Sequence, residues 1–343
     1  MTPTKVLVVD DSATMRALLS SALSSQEDIE VVGTACDPFQ ARTLIKELNP
    51  DVVTLDVEMP GMDGLEFLEK IMRLRPMPVI MVSTLTQKGA AASIEAMRLG
   101  AVDCFPKPTN AQAQAFREAA PRLAELVRNA ARSRVRTYTG AVKSAVAGEF
   151  VWNGKVAAIG ASTGGVEALF RVLSHFPANC PPTLVVQHIQ GSFSASLVRS
   201  LNEACAAKVV EAGDRMKVEP GHIYVAPGSE RHMLLHGWPD GRLRLMPGEP
   251  FSGHRPSVDL MFRSVALSAG EQAVGVILTG MGRDGARGLG LMREAGARTF
   301  GQDRETCVVY GMPRAAWEAG AVEKELPIDR IAPALLKACN RNG

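Results

Sequence analysis

Apolar and polar positions along the first 120 residues follow two alternating rhythms. Short unbroken apolar runs at Val6–Val9, Val31–Ala35, Val52–Leu55, Val79–Val82 and Val102–Phe105 predict five buried strands. Between them lie stretches of helical period. Met15, Leu18, Leu19, Ala22 and Leu23 form one apolar stripe. A second stretch opens with Asp37-Pro38, an N-cap followed by proline at the first helical position, and stops at Asn49-Pro50. A third follows Asp63 and ends near Pro76, and a fourth, rich in alanine, ends at Gly100. Strands alternating with helices of this length predict a parallel sheet covered by helices on both faces.

The alternation resumes near residue 150. Val156–Ile159, Thr183–Gln187, Ile223–Ala226, Leu243–Met246 and Val274–Thr279 are strand candidates, and helical patterns follow Gly164, Gly285 and Met312. Turn chemistry at Pro239-Asp240-Gly241 predicts a hairpin over 237–241. The fold class is therefore α/β throughout, with domains at 4–121 and 150–341. Residues 122–149 hold six Lys/Arg against Glu125 and Glu149, with no clear period after Arg132. The first part is compatible with a continuing helix, but the segment reads as a linker; a nucleic-acid-binding arm is the alternative, and interleaved aromatics are missing.

Composition narrows the classes. With 343 residues, 46% hydrophobic and 22% charged, the chain suits about two globular domains. A net charge of +2 points to neither nucleic acid nor a membrane surface. The apolar run Val6–Val9 is too short for a signal-peptide core, and no apolar stretch reaches transmembrane length. Six scattered cysteines without a C-x-x-C pair predict reduced, mostly buried thiols and a cytoplasmic location.

Ligands of an open parallel sheet bind beyond the carboxyl ends of its strands. At those ends the first domain places Asp10-Asp11, Asp56, Ser83-Thr84 and Lys107-Pro108. Clustered carboxylates repel unless neutralised, and Mg²⁺, a hard oxygen-seeking cation, suits them. With Lys107 nearby, one carboxylate has the surroundings to accept a phosphoryl group. Asp37 and Asp63 read instead as helix caps.

Residues 5–110 resemble response-regulator receiver domains through VLVVDDS (6–12), LDVEMPGMDG (55–64), VIMVS (79–83) and Lys107-Pro108. The resemblance implies a flavodoxin-like (βα)5 fold with Asp56 as phospho-acceptor. It further implies Mg²⁺ on Asp11, Asp56 and the Glu58 backbone carbonyl, with Asp10 completing the acidic pocket. Ser83 would report phosphorylation through its hydroxyl, and Lys107 would hold the phosphoryl oxygens.

In the second domain KVAAIGASTGGVEAL (155–169) reads as strand, glycine-rich turn and helix, with G-x-S-x-G at Gly160, Ser162 and Gly164. Such a turn exposes a serine hydroxyl beside helix N–H groups. A dinucleotide loop competes, but position 162 is Ser and the next strand ends in Gln187-His188 without an acid. A serine nucleophile needs a base and an orienting acid. His188 has strand-end placement; His175, His222, His232, His236 and His254 lie in helix-like, hairpin or turn segments. Asp284, in TGMGRDGA (279–286), lies at the same predicted edge. Asp259 and Asp303 are its rivals, and a hydrogen-bonded core role for His188 stays open on the residues alone.

The order Ser162, His188, Asp284 differs from the Ser, Asp, His order of α/β-hydrolases. Residues 150–340 instead resemble the catalytic domain of chemotaxis receptor methylesterases (CheB-type) through GASTGG (160–165), VVQHI (185–189), VAPG (225–228), HRPSVDLMF (254–262) and ILTGMGRDGA (277–286). The resemblance implies a doubly wound parallel α/β hydrolytic domain with a β-hairpin. Ser162 would be nucleophile, His188 the base and then acid, and Asp284 the orienting carboxylate. The backbone N–H groups of Thr163 and Met281 would stabilise the oxyanion. It also implies a phosphorylation-activated hydrolase of glutamate γ-methyl esters on the helical cytoplasmic region of chemoreceptors, with glutamine deamidation besides. The phosphoryl donor would be the chemotaxis histidine kinase, and the esterase would need no cofactor. Two other classes are weighed: a receiver-linked adaptor that only binds a partner, and a receiver fused to a DNA-binding domain. The second domain lacks the basic recognition helix that DNA binding needs.

Overall fold

A computed structural model describes residues 2–59, 62–84, 86–108, 113–135 and 150–342. The chain divides into two compact units, Met1–Thr139 and Gly140–Gly343.

The first unit runs β1 (Thr4–Val9), α1 (Ala13–Ser24), β2 (Ile29–Ala35), α2 (Pro38–Leu48), β3 (Val52–Asp56), α3 (Gly64–Leu74), β4 (Val79–Ser83), α4 (Gln87–Arg98), β5 (Asp103–Pro106) and α5 (Ala113–Ala131). Its sheet has the order β2-β1-β3-β4-β5, every pair parallel. β3 and β4 are buried at every residue, which is why they read as continuous apolar runs rather than alternating ones. The Asp37 carboxylate accepts from the N–H groups of Phe39 and Gln40, both at 2.8 Å, and α2 stops at Asn49, whose φ of 45° breaks the helix. Asp63 accepts from Glu66 N–H at 2.8 Å. Both aspartates are caps, as their positions predict.

The sequence-derived boundary at 121/122 falls inside α5. Pro121 removes one helical hydrogen bond, but Phe116, Ala120, Leu123, Leu126, Val127 and Ala130 are buried on one side and carry the helix through it. Arg128 of the presumed linker pairs with Asp28 at 2.7 Å, and Arg122 with Glu125 at 3.0 Å. The helix therefore takes residues 122–131 from the segment read as linker; residues 136–149 lie outside those described.

The second unit runs β6 (Val156–Ala161), α6 (Gly165–Leu173), β7 (Thr183–Gln187), α7 (Gly191–Ala204), β8 (Lys208–Glu211), β9 (His222–Val225), β10 (Arg231–His236), β11 (Arg242–Pro247), α8 (Val258–Ala269), β12 (Ala273–Ile277), α9 (Ala286–Glu294), β13 (Arg298–Gln302), α10 (Met312–Glu318), β14 (Lys324–Leu326) and α11 (Ile328–Ala338). Seven strands form a parallel sheet in the order β14-β13-β12-β6-β7-β9-β8, and β10 and β11 pair antiparallel as the expected hairpin. β6 lies between β7, which follows it in the chain, and β12, which comes much later. That reversal of strand order is a topological switch point, where open α/β sheets leave a crevice. Among the described residues no helix is long and apolar enough to cross a membrane.

Candidate active site

The crevice at the end of β6 collects the second unit's reactive groups. Ala161 is in register with Gln187, so Ser162 and His188 leave neighbouring strands side by side. His188 N–H donates to Ala161 O at 3.0 Å, and Ser162 N–H donates to Thr279 O, beyond β12, at 3.0 Å. The chain then turns through Gly164, at φ 74°, into α6. A Cβ at Gly164 would fall 2.5 Å from Val308 Cβ, so backbone and space both require glycine there.

Asp284 is fully enclosed and receives four donors. Its Oδ1 accepts from Ser257 Oγ and Asp259 N–H, each at 2.9 Å. Its Oδ2 accepts from Val258 N–H at 2.8 Å and His188 Nε2 at 2.9 Å. Three of these donors belong to the N-cap and first turn of α8, whose dipole also favours a negative charge. Burial is the largest single influence on this carboxyl and pushes its pKa up. The His188 bond and charge, with the N–H groups of Asp259 and Val258, outweigh it and hold the pKa below the ordinary value. An ionised carboxylate accepts only, so Nε2 carries the hydrogen and Nδ1 holds the lone pair. Nδ1 is buried and makes no hydrogen bond among the described residues. It is the nitrogen left to take a proton.

The rivals have other work. Asp259 accepts from Gly288 N–H at 2.7 Å, and its pKa is raised by burial. Asp303 caps its own turn through Thr306 at 2.9 Å. His232 is a structural histidine: Ser257 N–H donates to its Nδ1 at 3.1 Å, and its Nε2 donates to Glu249 O at 3.0 Å. Thr163 and Met281 occupy the two loops flanking Ser162. Thr163 O accepts from Thr279 Oγ1 at 3.0 Å. Gly280, next to Met281, lets its loop touch the serine: a Cβ there would sit 2.6 Å from Ser162 Cβ.

Two groups in this site escape sequence reasoning. His254, assigned to a polar turn, lies flat on His188 with ring centroids 3.8 Å apart and planes within 6°. It is carried by a tight turn in which Phe251 and His254 exchange backbone hydrogen bonds at 3.0 Å. Ser252 and Gly253 take positive φ there. Gln187 is the other: its side-chain amide bonds the Ser162 and His188 backbones. Both lie inside motif strings, VVQHI (185–189) and HRPSVDLMF (254–262), but only tertiary adjacency shows what they touch.

In the first unit Asp10, Asp11 and Asp56 bring carboxylate oxygens within 4.8 Å of one another at the ends of β1 and β3. Lys107 Nζ lies 2.8 Å from Asp56 Oδ2 and 3.0 Å from Asp10 Oδ2, the latter an ion pair without hydrogen-bond alignment. Burial pushes the Asp56 pKa up to about 6, against the opposing pull of Lys107. Glu58 N–H approaches Asp56 Oδ1 at 3.4 Å. The buried Ser83 hydroxyl does not meet Asp56; it lies 3.0 Å from Gly89 O and 3.1 Å from Thr84 O. The three oxygen donors and the underused Asp10 Oδ2 fit a hard divalent cation.

Comparison with known proteins defines the class first: a phospho-receiver joined to a hydrolase. Residues 6–116 match the response regulator receiver domain and residues 157–335 match the CheB methylesterase. The protein-glutamate methylesterase/protein-glutamine glutaminase 1 of Caulobacter vibrioides is 55% identical over 339 residues, covering 98% of both chains. The protein-glutamate methylesterase/protein-glutamine glutaminase of Agrobacterium fabrum is 54% identical over 340 residues, covering 97% of this chain and 96% of its own. The crystal structure of the Thermotoga maritima CheB methylesterase catalytic domain superposes with a TM-score of 0.52 at 35% identity, over 54% of this chain and 98% of that one. The chain belongs to the CheB methylesterase family, with a receiver domain ahead of the catalytic domain.

Proposed function

We propose that this protein hydrolyses glutamate γ-methyl esters on the helical cytoplasmic region of chemoreceptors, releasing methanol, and deamidates receptor glutamines by the same chemistry. The observation that carries the reading is the bond between His188 and the enclosed Asp284 at 2.9 Å, set beside Ser162 at the switch point of the sheet. Ser162 Oγ attacks the ester carbonyl carbon as its proton passes to His188 Nδ1. The oxyanion meets the N–H groups of Thr163 and Met281. The tetrahedral intermediate collapses, the C–OCH₃ bond breaks, and methoxide leaves as methanol with the proton from His188. Water then gives a proton to His188 and attacks the acyl-enzyme, releasing glutamate and restoring Ser162. With a glutamine side chain the leaving group is ammonia. Asp284 stays ionised throughout and stabilises the imidazolium.

Asp56 accepts the phosphoryl group that raises activity, with a chemotaxis histidine kinase as donor. Asp10, Asp11, Asp56 and the Glu58 carbonyl would hold Mg²⁺, which when bound offsets the charge of the phosphoryl oxygens. Lys107 supplies the fixed cation beside Asp56. Ser83, now bonded within its own loop, is the hydroxyl a phosphoryl oxygen would draw over. On this reading the protein acts in the cytoplasm, on the cytoplasmic region of the receptors. A non-catalytic adaptor would have no use for a carboxylate with four donors aimed at one imidazole. Methanol release from methylated receptor membranes tests the reading; a folded Ser162→Ala protein should release none above background.

A further inference from the structure

Gln187 is the last residue of β7, and the scheme above gives it no task. Its side chain is buried, with 3% of the residue exposed. Its Nε2 donates to Ser162 O at 2.8 Å and to His188 O at 3.0 Å. Both hydrogens of one amide are thus spent on the backbones of the proposed nucleophile and the proposed base, which leave two different strands. Gly165 N–H donates to the same Ser162 oxygen at 2.7 Å.

Two further observations show that the amide has a specific use. Its Oε1 is buried and makes no hydrogen bond among the described residues. A buried amide oxygen without a partner destabilises a fold, and an apolar side chain of similar length would avoid that loss. Second, an added Cβ at Gly165 would fall 2.1 Å from Gln187 Oε1 and 2.8 Å from Ala161 Cβ. Gly165 starts α6 and does not sit at positive φ, so backbone conformation does not demand glycine there. The room taken by Gln187, and secondarily by Ala161 Cβ, does. The pair Gly164-Gly165 therefore has two separate causes: a left-handed turn at the first and the amide of Gln187 at the second.

We propose that Gln187 is a positioning residue, a clamp that fixes the Ser162 backbone against the His188 backbone. It presets the path along which the hydroxyl proton reaches the imidazole. The proposal rests on the reading of Ser162 and His188 given above. Misplacing reacting groups by about 1 Å lowers rates by up to about a hundredfold without necessarily weakening binding. The clamp should accordingly govern the acylation step rather than affinity.

The test uses the full chain and a fluorophosphonate probe, measuring the maximal labelling rate and the half-saturating probe concentration separately. Gln187→Met keeps the side chain's length and loses both donors. It should lower the maximal rate about tenfold to a hundredfold and leave half-saturation within about twofold. Gly165→Ala should do the same by pushing the amide aside. In a Gln187→Ala background only the contact with Ala161 Cβ at 2.8 Å remains, so Gly165→Ala should cost clearly less than it does beside the intact amide. This cycle decides the matter even if Gln187→Met fails to fold. A folded Gln187→Met protein with the wild-type maximal rate, or a Gly165→Ala penalty that persists undiminished in the Gln187→Ala background, overturns the clamp. Labelling that survives Ser162→Ala overturns the triad reading itself, and so is told apart from failure of the clamp alone.

Discussion

At the scale of single residues, burial and pairing decide which carboxylates and thiols are poised for chemistry. Asp56 is pushed up to about 6, so its protonated form is the one the fold favours. That contribution to stability is present at low pH and is lost as pH rises through about 6. Asp56→Asn should therefore be more favourable to stability at pH 8 than at pH 4. Urea midpoints of the variant relative to the wild type at the two pH values check this; a relative effect no more favourable at pH 8 than at pH 4 would contradict it. Burial pushes the thiols of Cys104, Cys180, Cys205 and Cys339 up to about 12 and raises that of Cys307 as well. Cys36 is exposed. Native alkylation at pH 8 should thus modify Cys36 first, with the other five reacting only on unfolding, as peptide mapping would read.

At the scale of elements, the catalytic crevice is made by loops that approach one another where glycine permits. A Cβ added at Gly280 would fall 2.6 Å from Ser162 Cβ and 2.5 Å from Met312 Sδ. Gly280→Ala should push the 279–285 loop off the serine and lower esterase turnover about tenfold or more. Unchanged turnover in the folded variant would remove this loop from the account. The apolar runs of β1, β3, β4, β6 and β7 were legible because buried parallel strands leave unbroken apolar signatures. β8, β13 and β14 were not: β8 carries exposed Lys208 and Glu211, β13 contains Gly301, and β14 has only three residues. α7 and α8 also passed unread. Even so, α8 proves central, because its first turn holds Asp284. Ser162, His188 and Asp284 were visible as strand-end residues of a parallel sheet; Gln187 and His254 act through contacts that no spacing announces.

At the scale of the whole molecule, one chain carries the acidic cluster proposed as phospho-acceptor in its first unit and the residues proposed as nucleophile, base and acid in its second. A switch of this kind works only if phosphorylation changes the relative stability of two states. Labelling by acetyl phosphate with Mg²⁺ should be lost in Asp56→Asn, and the esterase rate of that variant should not respond to the phosphodonor. A response equal to the wild type would move the acceptor elsewhere.

Methanol release from methylated receptor membranes, followed with and without acetyl phosphate, tests the central claim most directly. Wild-type protein should release methanol and do so faster with the phosphodonor, whereas folded Ser162→Ala protein should lose at least about a thousandfold of the rate under both conditions. Substantial methanol release by folded Ser162→Ala protein would contradict the account.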